Sequence, residues 1–308
     1  MNGGNSGNDR IGGVGGIGRN GPDFAAGTDR TDDTDRTGRT DHPGRTDHPG
    51  HTARTLPLHP TGHTNPTVSG PVARARSLVL AAHGSVVPEA GATVARLADA
   101  VRLLTGAPVS VGHLDHRAPS LPDVLADRPG AVVVPLLLGD GYHRTVDIPA
   151  VARPFDCAVT RGLSGEHAVS LALYDRLRAA ERKAGGPADA VVVAGAGSSR
   201  PGGDDGTLTA VRQLDLLLPV PVVAAYCSSS TPTPAEAVAR LHARGFRRVA
   251  LATHLLAPGR FTRALAALPD TWAVAEPIAD HARVARLVAA RYAVAAGGRD
   301  SAGPRAAA

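Results

Sequence analysis

The residues of this chain best placed to do chemistry are two histidines that follow apolar runs. His83 comes after Leu78-Val79-Leu80-Ala81-Ala82 and is succeeded at once by Gly84 and Ser85. His143 closes Gly139-Asp140-Gly141-Tyr142-His143, which follows the apolar run 131–138. Imidazole titrates near neutral pH, and its neutral form binds borderline transition metals. Two imidazoles brought to one place would handle protons, a metal ion, or both. Asp115 ends a third apolar run and offers a carboxylate that can help gather a divalent cation or take a proton. Its neighbour His113 alternates with apolar residues and reads as packing or surface, and His116 is no more persuasive as a ligand.

These side chains meet only if their elements deliver them to one edge. Apolar runs predict strands over 78–82, 109–114, 131–138 and 156–159, separated by helical patterns over 90–104, 119–126, 145–152 and 167–183. After Gly185-Gly186-Pro187 the series restarts, with strands over 190–194, 221–226, 248–254 and 272–275 and helices over 204–218, 234–244, 259–268 and 281–296. Such alternation implies βαβ units and parallel sheets flanked by helices, whose ligands sit at the carboxyl ends of the strands. Both His83 and His143 fall at such ends. Gly84 would let the backbone turn and approach a ligand, and Ser85 would cap the next helix, whose N-terminus favours an anion. Gly141 belongs to a flexible loop leading into a helix, which Asp147 caps unless it orients His143 instead.

The restart is an internal duplication. LVLAAHGS at 78–85 lies over VVVAGAGS at 191–198, and Ala118-Pro119-Ser120 over Thr231-Pro232-Thr233 at the same offset. Leu137-Leu138-Gly139-Asp140-Gly141 lies over Leu255-Leu256-Ala257-Pro258-Gly259 with five further residues inserted. The chemistry stays in one copy: His83 corresponds to Ala196, His143 to Phe261 and Asp115 to Ser228. The first half is thus the expected working half, and the second a structural and substrate-covering partner.

Composition sets the limits. Residues 1–73 are Gly, Thr, Asp, Arg, His and Pro with few bulky apolar side chains, and are expected to be a disordered tail. They contain neither a signal peptide nor a membrane span, so a cytoplasmic protein is expected. The expected domains are 77–184 and 189–297, followed by a flexible C-terminus at 298–308. Net charge is +5, and Lys183 is the sole lysine. That excess sits on guanidinium groups of the folded part and suits a polyanionic ligand. Aromatic residues are scarce and no recognition motif is present, which argues against nucleic acid. Cys157 and Cys227 form no C-x-x-C pair. Gly13-Val14-Gly15-Gly16-Ile17-Gly18 has dinucleotide-loop spacing but no strand before it, and neither a phosphate-binding lysine loop nor a nucleophile elbow occurs.

AHGS after the first strand, LDHRAPSL after the second and PLLLGDGYHRTVDIP after the third resemble the sirohydrochlorin chelatases, the small class II chelatases of siroheme and cobalamin biosynthesis. Residues 77–183 carry the likeness most strongly. Residues 189–296 resemble the family's degenerate second domain, including Pro277-Ile278-Ala279-Asp280-His281 before the last helix. Asp115 stands where most members have Glu, which shortens the side chain. The resemblance implies two tandem chelatase-like α/β domains and a lyase that inserts Fe2+ or Co2+ into sirohydrochlorin with loss of two protons. It implies no organic cofactor, the metal being a substrate. His83 and His143 would hold the metal with Asp115, and one or both would take the pyrrole protons. Arg144, Arg200 and Arg260 would meet the carboxylates of the macrocycle, alongside Gly84, Ser85 and Gly141. A fused pair of repeats can close a cleft without a second chain, which allows a monomer; neither a membrane nor a nucleic acid is an expected partner. Two other readings stay open: a metal or tetrapyrrole carrier without turnover, and a flavodoxin-like nucleotide binder.

Overall fold

The computed structural model describes residues 76–115, 117–140 and 146–297. The expected tails, together with His116, Gly141, His143 and Arg144, lie outside the described residues. Two four-stranded sheets form, each wholly parallel. The first has the order β2-β1-β3-β4, from β1 (Leu78–Ala82), β2 (Val109–His113), β3 (Val132–Pro135) and β4 (Ala158–Val159). The second has the order β6-β5-β7-β8, from β5 (Ala190–Gly195), β6 (Val222–Tyr226), β7 (Val249–His254) and β8 (Ala273–Val274). β3 is shorter than the apolar run suggests. It ends at Pro135, which has no N–H to give the ladder.

Each central strand is apolar on both faces because both faces are covered. Leu78 and Leu80 face one core, and Val79 and Ala81 face another. On the outer faces lie α2 (Leu121–Ala126) and α3 (Ile148–Ala152) against the first sheet, and α6 (Pro234–Ala243) and α7 (Arg260–Ala266) against the second. The inner faces share one core with α1 (Pro88–Thr105), α4 (His167–Ala184), α5 (Asp205–Asp215) and α8 (Ala282–Gly297). α1 begins with Pro88 in its first turn and stops at Gly106, whose left-handed backbone lets its N–H bond the Arg102 carbonyl.

The two repeats exchange their last helices. α4, the final helix of the first repeat, packs on β7 and β8 of the second, while α8 packs on β3 and α1 of the first. Polar contacts fasten the exchange. Asp280, just before α8, takes Arg96 of α1 at 2.7 Å and Arg176 of α4 at 2.6 Å. Arg283 of α8 bonds Asp175 of α4 at 2.9 Å, and Arg291 of α8 pairs with Glu166. The Tyr292 hydroxyl donates to the Arg76 carbonyl ahead of β1 at 2.7 Å. Apolar positions on a helix state that it has a buried face but not which sheet covers it, so amphipathicity alone does not reveal this partnership.

The duplication offset of 113 holds atom for atom at the strand tips. Asp115 N–H donates to the His83 carbonyl at 2.9 Å, and Ser228 N–H donates to the Ala196 carbonyl at 2.9 Å. Ser120 and Thr233 both N-cap the following helix. Gly84 and Gly197 both have positive φ, at 98° and 89°. A Cβ on Gly84 would lie 1.8 Å from the Asp115 carbonyl oxygen, and one on Gly197 would lie 1.7 Å from that of Ser228. Backbone conformation and contact thus both demand glycine there. Gly84→Ala and Gly197→Ala should each cost about 2 kcal/mol or more, read as a lowered urea midpoint. An unchanged midpoint in either variant would contradict the close approach.

Candidate active site

The carboxyl ends of both sheets open onto one cavity of about 830 Å3 between the repeats. That lies within the range of roughly 300–1,000 Å3 usual for small-molecule sites. The first repeat contributes Ala82 at the end of β1 and the segment after it, including His83, Gly84 and Ser85, together with His113 at the end of β2 and Leu136 to Gly139 after β3. The second contributes Ala196 to Ser199, Ser228 and Ser229, and His254 to Thr262. The halves touch closely at its edge: a Cβ on Gly206 would lie 2.1 Å from the Leu138 carbonyl oxygen.

His83 is half exposed, and its Nδ1 lies 3.8 Å from Asp115 Oδ2. The two strand tips therefore bring together the imidazole and the carboxylate singled out from the sequence. Their partner, His143, is outside the described residues, as are Gly141 and Arg144. Among the described residues no group of three or more His, Cys, Asp or Glu side chains is placed to hold a metal. Burial pushes the Cys227 thiol up to about 11, so it stays protonated and a poor ligand at neutral pH.

Ser85 behaves differently from expectation. Its hydroxyl accepts from the N–H of Val87, the N-cap residue of α1, at 3.1 Å, and α1 has no side-chain cap. The helix starts later than a Ser85 cap requires, because Pro88 occupies its first turn. Asp147 likewise makes no side-chain cap bond and has helical backbone angles. His113 is buried as a packing residue, with Nδ1 3.1 Å from the Pro119 carbonyl oxygen. A carbonyl only accepts, so Nδ1 carries the proton.

Arg260 lines the cavity, with its guanidinium 4.9 Å from the centre of the Phe261 ring. Arg200 is exposed in the turn before α5 and is not part of the wall. Sequence reasoning passed over Arg117, which does line the cavity and lies over Gly91 of α1. It also passed over His254. This residue ends β7 in the inner core, 3% exposed, and burial pushes its pKa down to about 4. The strand-end rule that selects His83 selects His254 as well. Reading the second repeat only for counterparts of the first hid it, since its counterpart is Leu136.

Residues 77–180 and 190–295 both match the CbiX family model, and the chain belongs to that family. In fold it is similar to SirB from Bacillus subtilis with Fe3+ (TM-score 0.58, 22% identity, covering 73% of this chain and 97% of that one). SirB from Bacillus subtilis subspecies spizizenii in complex with cobalt gives the same TM-score of 0.58 at 21% identity, covering 73% and 97%. CbiX, described as the terminal enzyme for biosynthesis of siroheme in denitrifying bacteria, gives 0.55 at 18% identity, covering 71% and 99%. No match is found among curated protein sequences. These likenesses bear out the two tandem chelatase-like α/β units expected from the sequence. No described helix is long and apolar enough to cross a membrane.

A histidine whose folded pKa falls to about 4 binds fewer protons than its unfolded counterpart between that value and about 6.5. Stability therefore falls as pH drops through that window and levels off below it. The loss from His254 is on the order of 3 kcal/mol. In His254→Leu, stability measured by urea unfolding at pH 7 and pH 4 should decline less than in the unaltered protein. Equal declines would contradict a buried, neutral His254.

Proposed function

We propose that this chain inserts a divalent metal, Fe2+ or Co2+, into sirohydrochlorin in the cytoplasm, for siroheme or cobalamin synthesis. One observation carries the reading: the strand tips of both repeats open onto a single cavity whose wall holds His83, with the Asp115 carboxylate 3.8 Å from its imidazole. Family membership supports it, and so does the fold shared with SirB proteins that carry Fe3+ and cobalt. Catalysis belongs to residues 77–184, and residues 189–297 cover the substrate.

Metal insertion removes two pyrrole protons while the cation enters the ring. His83 and His143 hold the incoming metal, with Asp115 balancing its charge; as the metal passes to the ring, the lone pair it vacates on one or both imidazoles takes a pyrrole proton. Few strong ligands suit the task, because a cation held by a complete cage would not be passed on. Arg117, Arg144 and Arg260 meet the carboxylates of the macrocycle, and Gly84, Ser85 and Gly141 let backbone approach it closely.

The test is steady-state metallation of sirohydrochlorin with Fe2+ and Co2+ in parallel, followed by the absorbance change of the ring. His83→Ala and His143→Ala should each lower kcat by about 100-fold or more, and Asp115→Asn by less. A chain lacking residues 1–73 should keep its rate. Near-normal rates in both histidine variants would overturn the assignment. Metal or ring bound once per chain without turnover would instead identify a carrier.

A further inference from the structure

His254 is a buried polar side chain whose hydrogen bonding is incomplete. Its Nδ1 lies 3.0 Å from the Thr207 hydroxyl of α5, and its Nε2 has no partner among the described residues. Both residues line the inter-repeat cavity, and both are nearly fully buried. Thr207 has no other hydrogen-bond partner for its hydroxyl among the described residues. Two proton placements are open. With the imidazole proton on Nδ1, it points at the Thr207 oxygen; the hydroxyl proton and the Nε2 lone pair are then both unpaired. With the proton on Nε2, Thr207 donates to Nδ1, and only the Nε2–H is left without a partner. Each unpaired buried polar group is costly, so the second arrangement is the stable one. It leaves an N–H donor without an acceptor in a buried residue that lines the cavity.

We infer that His254 is a substrate-binding residue, its Nε2–H donating to a carboxylate of the tetrapyrrole held between the repeats. The inference rests on the chelatase reading above. Among the described residues, the cavity wall carries two guanidinium groups, Arg117 and Arg260, against one carboxylate, Asp204, whose Oδ2 already accepts from Ser230 at 2.5 Å. An anionic acceptor fits that balance and makes the bond charge-assisted. A metal ion fits less well, since it would need the proton moved to Nδ1, which leaves the Thr207 hydroxyl proton unpaired. The second repeat would thus do more than cover the ring: it would fix its orientation over His83.

Nitrogen NMR of the histidine side chains should find the His254 proton on Nε2; a proton on Nδ1 overturns the inference whatever the protein's activity. The binding test uses sirohydrochlorin under anaerobic conditions, Co2+ alone, and steady-state metallation. His254→Leu, which installs the residue found at Leu136 in the first repeat, should weaken ring binding about tenfold, the worth of one charge-assisted bond. KM should rise in proportion, with kcat within about twofold and Co2+ affinity unchanged. His254→Gln, which keeps a donor, should recover most of the binding. If His254→Leu binds the ring as tightly as the unaltered protein, or loses Co2+, the inference fails while the chelatase reading stands. If the unaltered protein binds no ring, both fail.

Discussion

The exchange of terminal helices is the constraint from which the site follows. Neither sheet can cover its inner face with helices from its own repeat alone: α4 lies on the second sheet and α8 on the first. The shared inner core runs from Leu78 and Val134 to Val288 and Tyr292. The sheets are locked together through these helices, and the tips of β1, β5 and β7 are brought to one cavity. Binding in open parallel sheets occurs at strand carboxyl ends. Here two such ends, from two copies of one ancestral pattern, make a single chamber.

Within that chamber the copies have diverged in the chemistry they present. The first repeat offers a half-exposed imidazole at the wall, with a carboxylate beside it. The second offers an imidazole that burial keeps neutral and that is held by a threonine, an arrangement suited to recognition. The glycine turn at each β-tip is the same in both, down to the carbonyl that a Cβ would strike. Geometry was conserved across the duplication while charge and exposure were not. That division suits a macrocycle that must be gripped at its rim and attacked at its centre.

Much of this was legible in the sequence, for physical reasons that differ by residue. Leu78 to Ala82 form a strand because an uninterrupted apolar run needs two covered faces, and the expected bounds hold. The duplication offset survives because Gly84 and Gly197 are irreplaceable. The Ser85 cap misled because a serine near a helix start is a common cap, whereas Pro88 decides where α1 begins. The helix exchange was invisible because periodicity reports a buried face, not its partner. His254 was hidden by symmetry itself: comparison with Leu136 asked what the second copy had lost, never what it had gained. Arg117 lay inside a motif read for Asp115 alone.

The most direct test of the account is a crystal structure of the chain loaded with Co2+. The account predicts the ion in the inter-repeat cavity, bonded to imidazole nitrogens of both His83 and His143 at about 2.0–2.2 Å, with Asp115 nearby. Cobalt bound elsewhere, or the two imidazoles opening into separate compartments, would contradict it.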